Sequence, residues 1–150
     1  MRLALDEARA ALESEDVPVG AVVLDEDGAV LSRGRNRREA DQDPTAHAEV
    51  VAIRSACGVL GDFSLAGCTL FASCEPCPLC LAASLWARLD RVIYAADRDD
   101  AARGGFDDRA FYDLFEQPRS EWSMTVAAHP LTEGFAPFDA WLSKADRVSY

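Results

Sequence analysis

Apolar and polar positions alternate along this chain in blocks that predict regular secondary structure. Over 3–13, apolar residues recur every three or four positions among helix-favouring alanine, leucine, glutamate and arginine, which predicts a helix. Two β-branched, apolar runs follow at 17–24 and 29–32, and turn-forming residues at 25–28 separate them, which predicts a β-hairpin. Because 19–24 is almost wholly apolar, we expect its strand to be buried on both faces.

The rest of the chain continues to alternate between helix and strand patterns. Polar residues at 36–43 predict a loop. The further predicted elements are a helix with Thr45 as N-cap that ends at Gly58 or Gly61, strands over 68–73, 91–96 and 124–128, and helices over 78–88, 109–116 and 134–145. The long connection over 97–121 permits a crossover, so the strand at 124–128 is expected to lie parallel to 92–96. These elements predict one α/β domain over 1–150, a three-layer α/β/α sandwich around a mixed five-stranded sheet.

Composition places the chain among ordinary globular domains. It has 150 residues, of which 49% are hydrophobic and 27% are charged, enough for one real core. There is no apolar run long enough to cross a membrane and no secretory signal pattern, so we expect no membrane partner and a cytoplasmic location. The five cysteines are an odd number, which favours free thiols over a disulfide framework.

The charge balance argues against a polynucleotide partner. The formal net charge is −11, whereas a protein that grips a phosphate backbone usually presents a basic face. The basic residues cluster in one place, at Arg33, Arg35, Arg37 and Arg38. Acidic residues follow at once, so we interpret this cluster as a solvated loop. A small, neutral substrate is favoured over nucleic acid.

Two short segments carry the chemistry, His47-Ala48-Glu49 and Pro76-Cys77-Pro78-Leu79-Cys80. An imidazole nitrogen and two thiolates are ligands that zinc prefers, and three protein ligands leave the fourth position open, as in catalytic sites. We therefore predict that His47, Cys77 and Cys80 bind Zn²⁺. Glu49 stands two residues beyond the histidine, where its carboxylate can accept a proton and pass it on. The combined signature is typical of zinc-dependent deaminases, which hydrolyse an exocyclic amine from a ring carbon.

A non-catalytic metal centre is the alternative from another class of function. Cys74, Cys77 and Cys80 are spaced as in some iron–sulfur proteins, but no fourth cysteine follows at a suitable distance. We interpret Cys74 as a buried small residue at a strand end, and Cys57 and Cys68 as core residues. Metal content and colour distinguish the two alternatives, because zinc is colourless and an iron–sulfur cluster is not.

The two chemical segments resemble those of the cytidine deaminase superfamily, in the branch of bacterial guanine deaminases. The resemblance rests on residues 43–49 and 73–81, and it continues through Trp86-Ala87-Arg88, Tyr94-Ala95-Ala96, Gly105-Phe106-Asp107-Asp108, residues 137–141 and Tyr150. It implies a cytidine deaminase-like fold and the zinc-dependent hydrolysis of guanine to xanthine and ammonia, with Glu49 as the catalytic acid and base.

The same resemblance implies further roles that the residues alone do not establish. The residues expected to bind the small-molecule purine are Asn36, Ala48, Trp86, Asp108 and Tyr150. Asn36 would hydrogen-bond the base, Asp108 would accept hydrogen bonds from guanine N–H groups, and Trp86 would line the pocket. Guanine deaminases of this type form homodimers that exchange their C-terminal segments, so Tyr150 is expected to complete the partner's site.

One segment departs from the guanine deaminase pattern. Residues 17–22 resemble those of transfer-RNA adenosine deaminases, and Val19 stands where guanine deaminases tend to have an aromatic residue. The pocket is therefore expected to be wider on this side. Guanosine, another aminopurine, an aminotriazine and transfer-RNA adenosine remain alternative substrates.

Overall fold

Helices and strands alternate along the chain in a computed structural model, which describes residues 1–106 and 109–148. The elements are α1 (Arg2–Glu13), β1 (Gly20–Leu24), β2 (Val30–Arg35), α2 (Arg38–Asp41), α3 (Ala48–Leu60), β3 (Thr69–Cys74), α4 (Pro78–Trp86), β4 (Arg91–Ala96), α5 (Arg98–Arg103), α6 (Arg109–Glu116), a 3₁₀ turn (Arg119–Glu121) and α7 (Ala136–Leu142). The predicted helices α1, α3, α4, α6 and α7 are confirmed. α5 is an additional helix, and so is α2, which lies within residues 36–43, a segment predicted to be a loop. Gly61, with φ of 67°, ends α3.

The strands form one mixed sheet in the order β2-β1-β3-β4. β1 pairs antiparallel with β2 and with β3, and β3 pairs parallel with β4. The predicted hairpin is confirmed, and four of the five residues of β1 are buried, as its continuous apolar character predicts. The α/β class is therefore correct.

The prediction of five strands is wrong for the described part of the chain, in which the sheet has four. Residues 124–128 form a bend and irregular chain instead of a strand. Their β-branched, apolar character favours an extended backbone, but a strand also needs a neighbour for its ladder of hydrogen bonds. No such ladder forms for this segment within the described residues, so the expected parallel pairing with β4 is absent there.

Helices pack against both faces of the sheet, at positions where glycine replaces a side chain. A Cβ on Gly20 would come within 2.3 Å of a backbone oxygen of α1, and one on Gly34 would come within 2.3 Å of a backbone oxygen of α3. Gly34 pairs with Ala21, the neighbour of Gly20, so the two glycines face opposite sides of the sheet. α1 and α3 therefore lie on opposite faces, and a cluster of small side chains from β1 and α3 forms the main core.

The chain divides into two compact units, residues 1–116 and residues 117–150. The first unit holds the sheet and helices α1 to α6. The described residues of the second unit form the 3₁₀ turn and α7, and their large apolar side chains are mostly exposed, with Phe135 and Phe138 stacked at 5.6 Å between ring centroids. The single domain over 1–150 stays a prediction. Across the described ranges, no helix has the length and apolar character to span a membrane.

Candidate active site

His47 stands at the entrance of α3 in an extended conformation, with φ of −66° and ψ of 150°. The prediction that Thr45 is the N-cap is wrong, because the helix begins at Ala48. Thr45 instead donates from its backbone N–H and its hydroxyl to Oδ1 of Asp43, at 2.8 and 2.7 Å. This turn precedes the helix, so His47 occupies the N-cap position. Glu49 lies in the first turn, as predicted.

Cys77 and Cys80 occupy the first turn of α4 in the same way. Cys77 is the N-cap, with φ of −65° and ψ of 169°, and Pro78 follows at the first helical position, where its fixed φ suits the helix. Cys80 is three residues on, one turn later, and both sulfurs lie at the end of the helix where N–H groups favour a thiolate. The N-termini of α3 and α4 therefore meet at one group of ligand atoms.

The three predicted ligands come together in the structure. Nδ1 of His47 lies 3.5 Å from Sγ of Cys77 and 3.5 Å from Sγ of Cys80, and the two sulfurs are 3.7 Å apart. A tetrahedral zinc with bonds of about 2.3 Å to sulfur and about 2.0 Å to nitrogen would place its ligand atoms about 3.5–3.8 Å apart. The donor set and its spacing therefore fit zinc.

The two thiols are electrostatically coupled. A hydrogen bond with Cys80 and, to a lesser extent, the His47 ring lower the pKa of Cys77 to about 4, against the opposing effect of burial. The same hydrogen bond and burial raise the pKa of Cys80. A cation bound between the two sulfurs would take the place of thiol protons, because metal ligands bind in their deprotonated form.

Glu49 is the buried carboxylate beside the ligands. It is only 3% exposed, and its Oε2 lies 3.4 Å from Sγ of Cys80. Burial raises the pKa of Glu49, because the charged form loses contact with water, and the nearby Cys77 thiolate adds to the effect. A carboxylate with a raised pKa can both accept and release protons near neutral pH.

A cavity of about 340 Å³ opens beside these residues. His47, Glu49 and Cys77 line one part of it, and Asn36 and Val19 line another. Asn36 is buried, and its Oδ1 accepts the backbone N–H of Arg38 at 3.0 Å. That bond fixes the orientation of the amide, so its NH₂ group is the part that can donate to a molecule in the cavity.

Two of the other predicted substrate-binding residues, Ala48 and Trp86, do not line this cavity. Ala48 is buried as the first residue of α3 and does not line it. Trp86, at the end of α4, is 57% exposed and lines a separate groove between α3 and α4. Asp108 and Tyr150 lie outside the described residues. Roles for these four residues stay predictions.

Sequence reasoning missed several residues of the cavity wall. Cys74, interpreted as a buried strand-end residue, is half-buried and lines the cavity together with Phe106. Asp16 is buried, and its carboxylate accepts backbone N–H groups of Val17, Glu39 and Ala40. It therefore joins the segment after α1 to helix α2, and both contribute residues to the cavity wall. No motif marks these positions, because only tertiary packing brings them together.

A second missed feature is the ion pair between Arg98 and Glu75, a residue that also lines the cavity. The Glu75 carboxylate accepts hydrogen bonds from the guanidinium and the backbone N–H of Arg98. These bonds hold the pKa of Glu75 below its usual range. The short helix α5, which begins at Arg98, was not predicted, so no sequence pattern joined these two residues.

The basic cluster is largely neutralised by carboxylates of the same chain. Three of its arginines form ion pairs, Arg33 with Glu7, Arg37 with Asp41 and Arg38 with Glu39. The pair between Arg37 and Asp41 is bidentate, at 2.6 and 2.8 Å. The interpretation of this cluster as a loop is wrong, because Arg33 and Arg35 lie in β2 and Arg38 begins α2. Paired arginines still offer less charge to a phosphate backbone.

Comparison with known proteins gives consistent matches. Residues 1–96 match the model of the cytidine and deoxycytidylate deaminase zinc-binding region. Guanine deaminase of Bacillus subtilis is 47% identical over 133 residues, which cover 89% of this chain and 85% of that protein. Its crystal structure superposes with a TM-score of 0.94 at 43% identity, covering 99% of this chain and 95% of the other. The tRNA-specific adenosine deaminase of Aquifex aeolicus is 36% identical over 89% of this chain and 85% of its own length.

Proposed function

Because this chain belongs to the cytidine and deoxycytidylate deaminase family of zinc-binding proteins, we propose that it hydrolyses the exocyclic amine of guanine, giving xanthine and ammonia. A zinc-dependent aminohydrolase is the class of enzyme that the family and the three donor residues support. The observation that carries the proposal is the burial of Glu49 beside His47, Cys77 and Cys80, at the wall of a cavity large enough for a purine base.

His47, Cys77 and Cys80 would hold the metal, and Glu49 would move the protons. Bound zinc supplies the Lewis acidity that makes water a nucleophile near neutral pH. Glu49 accepts a proton from the attacking water and delivers it to the ring nitrogen next to the reacting carbon. It then carries the second proton to the leaving amine, which departs as ammonia. Its raised pKa suits this double role, because one carboxylate must alternate between base and acid.

Asn36 would orient the base in the cavity. Its Oδ1 is occupied by the N–H of Arg38, so its amide presents a donor to the substrate. An acceptor atom of a purine, such as a ring nitrogen or a carbonyl oxygen, is the complementary group. Asp108 and Tyr150 would supply the remaining contacts, as the resemblance to guanine deaminases implies.

Transfer-RNA adenosine is the second candidate substrate. The segment that resembles transfer-RNA adenosine deaminases contributes Val17, Pro18 and Val19 to the cavity wall. The net charge of −11 and the internally paired arginines favour a free base instead. Guanosine, other aminopurines and aminotriazines are alternatives that the wall at Val19 would accommodate.

We further propose that the protein is a homodimer in which C-terminal segments are exchanged. In residues 117–148, apolar side chains such as Met124, Leu131 and Trp141 are exposed. Exposed apolar surface of this extent is typical of a site that binds another chain. A second copy of the chain would bury these side chains. The cytoplasm remains the predicted location, in keeping with five free cysteines.

The test is ammonia release by the purified protein with guanine, guanosine, adenine, cytosine and an adenosine-bearing anticodon stem-loop, alongside metal analysis. We expect guanine to react and one zinc to be present per chain. Reaction of the stem-loop alone would replace guanine with transfer RNA as the substrate. An iron–sulfur absorption spectrum would contradict the whole proposal.

A further inference from the structure

We propose that Arg98 is a positioning residue, which fixes the segment before the Cys77 ligand by binding Glu75 on one side and Tyr112 on the other. The inference rests on the proposed zinc site, because its consequence is the affinity for that metal. It concerns a residue outside the His-x-Glu and Pro-Cys-x-x-Cys motifs. Arg98 touches neither the cavity nor the ligand sulfurs, so it acts through its neighbours.

The ion pair between Arg98 and Glu75 is reinforced by several hydrogen bonds. The Glu75 carboxylate accepts the backbone N–H of Arg98 at 3.0 Å, its Nε at 3.1 Å and its Nη2. The side chains of Arg98 and Glu75 are 41% and 12% exposed, whereas those of the surface pair Arg103 and Asp100 are 82% and 48% exposed. A charged pair with several hydrogen bonds to one largely buried carboxylate holds its geometry better than a pair with a single contact at the surface.

Tyr112 closes the arrangement from the other side. The guanidinium carbon of Arg98 lies 3.8 Å from the centroid of the Tyr112 ring, a cation–π contact. The Tyr112 hydroxyl donates to the carbonyl oxygen of Pro76 at 2.6 Å. Arg98 therefore lies between a carboxylate and an aromatic ring, and both of these neighbours are tied to the segment before Cys77.

The contact with Pro76 bears directly on the ligand. The carbonyl of Pro76 and the N–H of Cys77 belong to one rigid peptide plane. The hydrogen bond to the Pro76 oxygen therefore also fixes the orientation of the Cys77 backbone nitrogen. One residue earlier, the N–H of Glu75 donates to the carbonyl oxygen of Ala96 at 2.8 Å. The backbone is thus anchored at Glu75 and at Pro76. Residues that orient metal ligands in this way commonly contribute about 10–100-fold to metal affinity.

The experiment measures zinc affinity without using turnover. Zinc-loaded wild-type protein and its variants are titrated with a chromogenic chelator. Arg98→Ala should bind zinc about 10–100-fold more weakly. Arg98→Lys keeps the charge but loses the bidentate guanidinium, so its zinc affinity should lie between those of the wild type and Arg98→Ala. The matched control is Arg103→Ala on the same helix, which removes only an exposed pair and should leave zinc affinity unchanged.

A second readout separates positioning from general stabilisation. With zinc in excess, Arg98→Ala should recover the kcat of the wild type for its substrate, because the chemical groups are intact. An unchanged zinc affinity, with only a lower melting temperature, would overturn the proposal. Should Arg98→Ala fail to fold, Tyr112→Phe carries the test, since it removes the hydrogen bond to Pro76 and keeps the ring. Unchanged zinc affinity in that variant would equally overturn it.

The outcome is independent of the substrate assignment. If the wild type deaminates none of the purines but Arg98→Ala still weakens zinc binding, the proposed substrate fails and the role of Arg98 stands. If the wild type deaminates guanine and Arg98→Ala holds zinc as tightly as the wild type, the role of Arg98 fails and the proposed function stands.

Discussion

At the scale of single residues, the environment of Glu49 determines what its carboxylate can do. An exposed glutamate is almost fully ionised at neutral pH and is a weak base. Burial at the start of α3 removes water from Glu49 and raises its pKa. The Glu49 carboxylate contacts Sγ of Cys80, so it lies beside the position that the metal would occupy. A water molecule bound there would be within reach of this carboxylate.

Replacing Glu49 with glutamine should separate metal binding from chemistry. Glutamine has the same shape but cannot accept and return a proton, so we expect zinc content to be unchanged and turnover to fall by about 10²–10⁴-fold. Metal analysis and ammonia release measure the two effects. Glu13→Gln, an exposed change in α1, is the control. Retained turnover in Glu49→Gln would remove Glu49 from the mechanism.

Asp43 gives the structure a dependence on pH. Hydrogen bonds from the side chain and backbone of Thr45 lower the pKa of Asp43 from its ordinary value of 3.8. The ionised carboxylate therefore stabilises the folded state above about pH 3.8, and this contribution is lost as the pH falls through the lowered pKa. Asp43→Asn should unfold in less urea than the wild type at pH 7, and the difference should shrink below pH 3.8. A difference that is constant with pH would contradict this account.

At the scale of elements, glycines control how closely the helices approach the sheet. Gly34 on β2 faces the first turns of α3, which carries Glu49 and follows His47. A side chain at this point would push against helix backbone, which cannot give way as a flexible side chain can. The position of the ligand and the catalytic acid thus depends on an absent Cβ in a different element.

Gly34→Ala should therefore harm both stability and metal binding. The new Cβ would lie 2.3 Å from the backbone oxygen of Ala48 and 2.6 Å from the backbone nitrogen of Ala52. We expect a loss of about 1–3 kcal/mol in the free energy of unfolding, with weaker zinc binding. Gly58→Ala, in α3 with open space around it, is the control and should stabilise the protein by about 0.5–1 kcal/mol. Equal effects of the two changes would contradict the packing argument.

At the scale of the whole molecule, apolar surface is exposed in each of the two units. In the first, Ile93 and Tyr94 of β4 are exposed, and in the second, Phe138 and Leu142 of α7 are exposed. A strand edge and apolar helices that stay uncovered are liable to associate with another chain. A second copy of the chain is the partner that we propose for them.

Mixing two inactive variants tests whether Tyr150 acts in the partner's site. One variant carries Glu49→Gln and the other lacks Tyr150. After unfolding and refolding together, the mixed dimer should regain turnover, because the site with an intact Glu49 receives Tyr150 from the other chain. Each variant refolded alone is the control, and light scattering establishes the dimer. If Tyr150 completed its own site, both sites of the mixed dimer would lack one group and the mixture would stay inactive.

The elements and the metal ligands could be predicted because their signals are local. The spacing of apolar residues predicted α1, and turn residues between two β-branched runs predicted the hairpin. The position of Pro78 marked the start of α4. The partner of each strand was harder to predict. Residues 124–128 have the composition of a strand, but composition does not provide a neighbour for the hydrogen-bond ladder. The helix α5 is short and highly charged, so it lacks the apolar period by which helices are predicted.

The sequence by itself determined the donor types and their placement, His47 and Glu49 at one helix start and Cys77 and Cys80 at another, because helical geometry fixes positions within a single turn. Only the tertiary structure decided that the two helix starts meet with 3.5 Å between their ligand atoms. It also decided that Glu49 is buried and that Arg98 supports Glu75 from an element 23 residues away. Such distances depend on how elements pack, and packing is set by many weak contacts across the chain, which no short motif records.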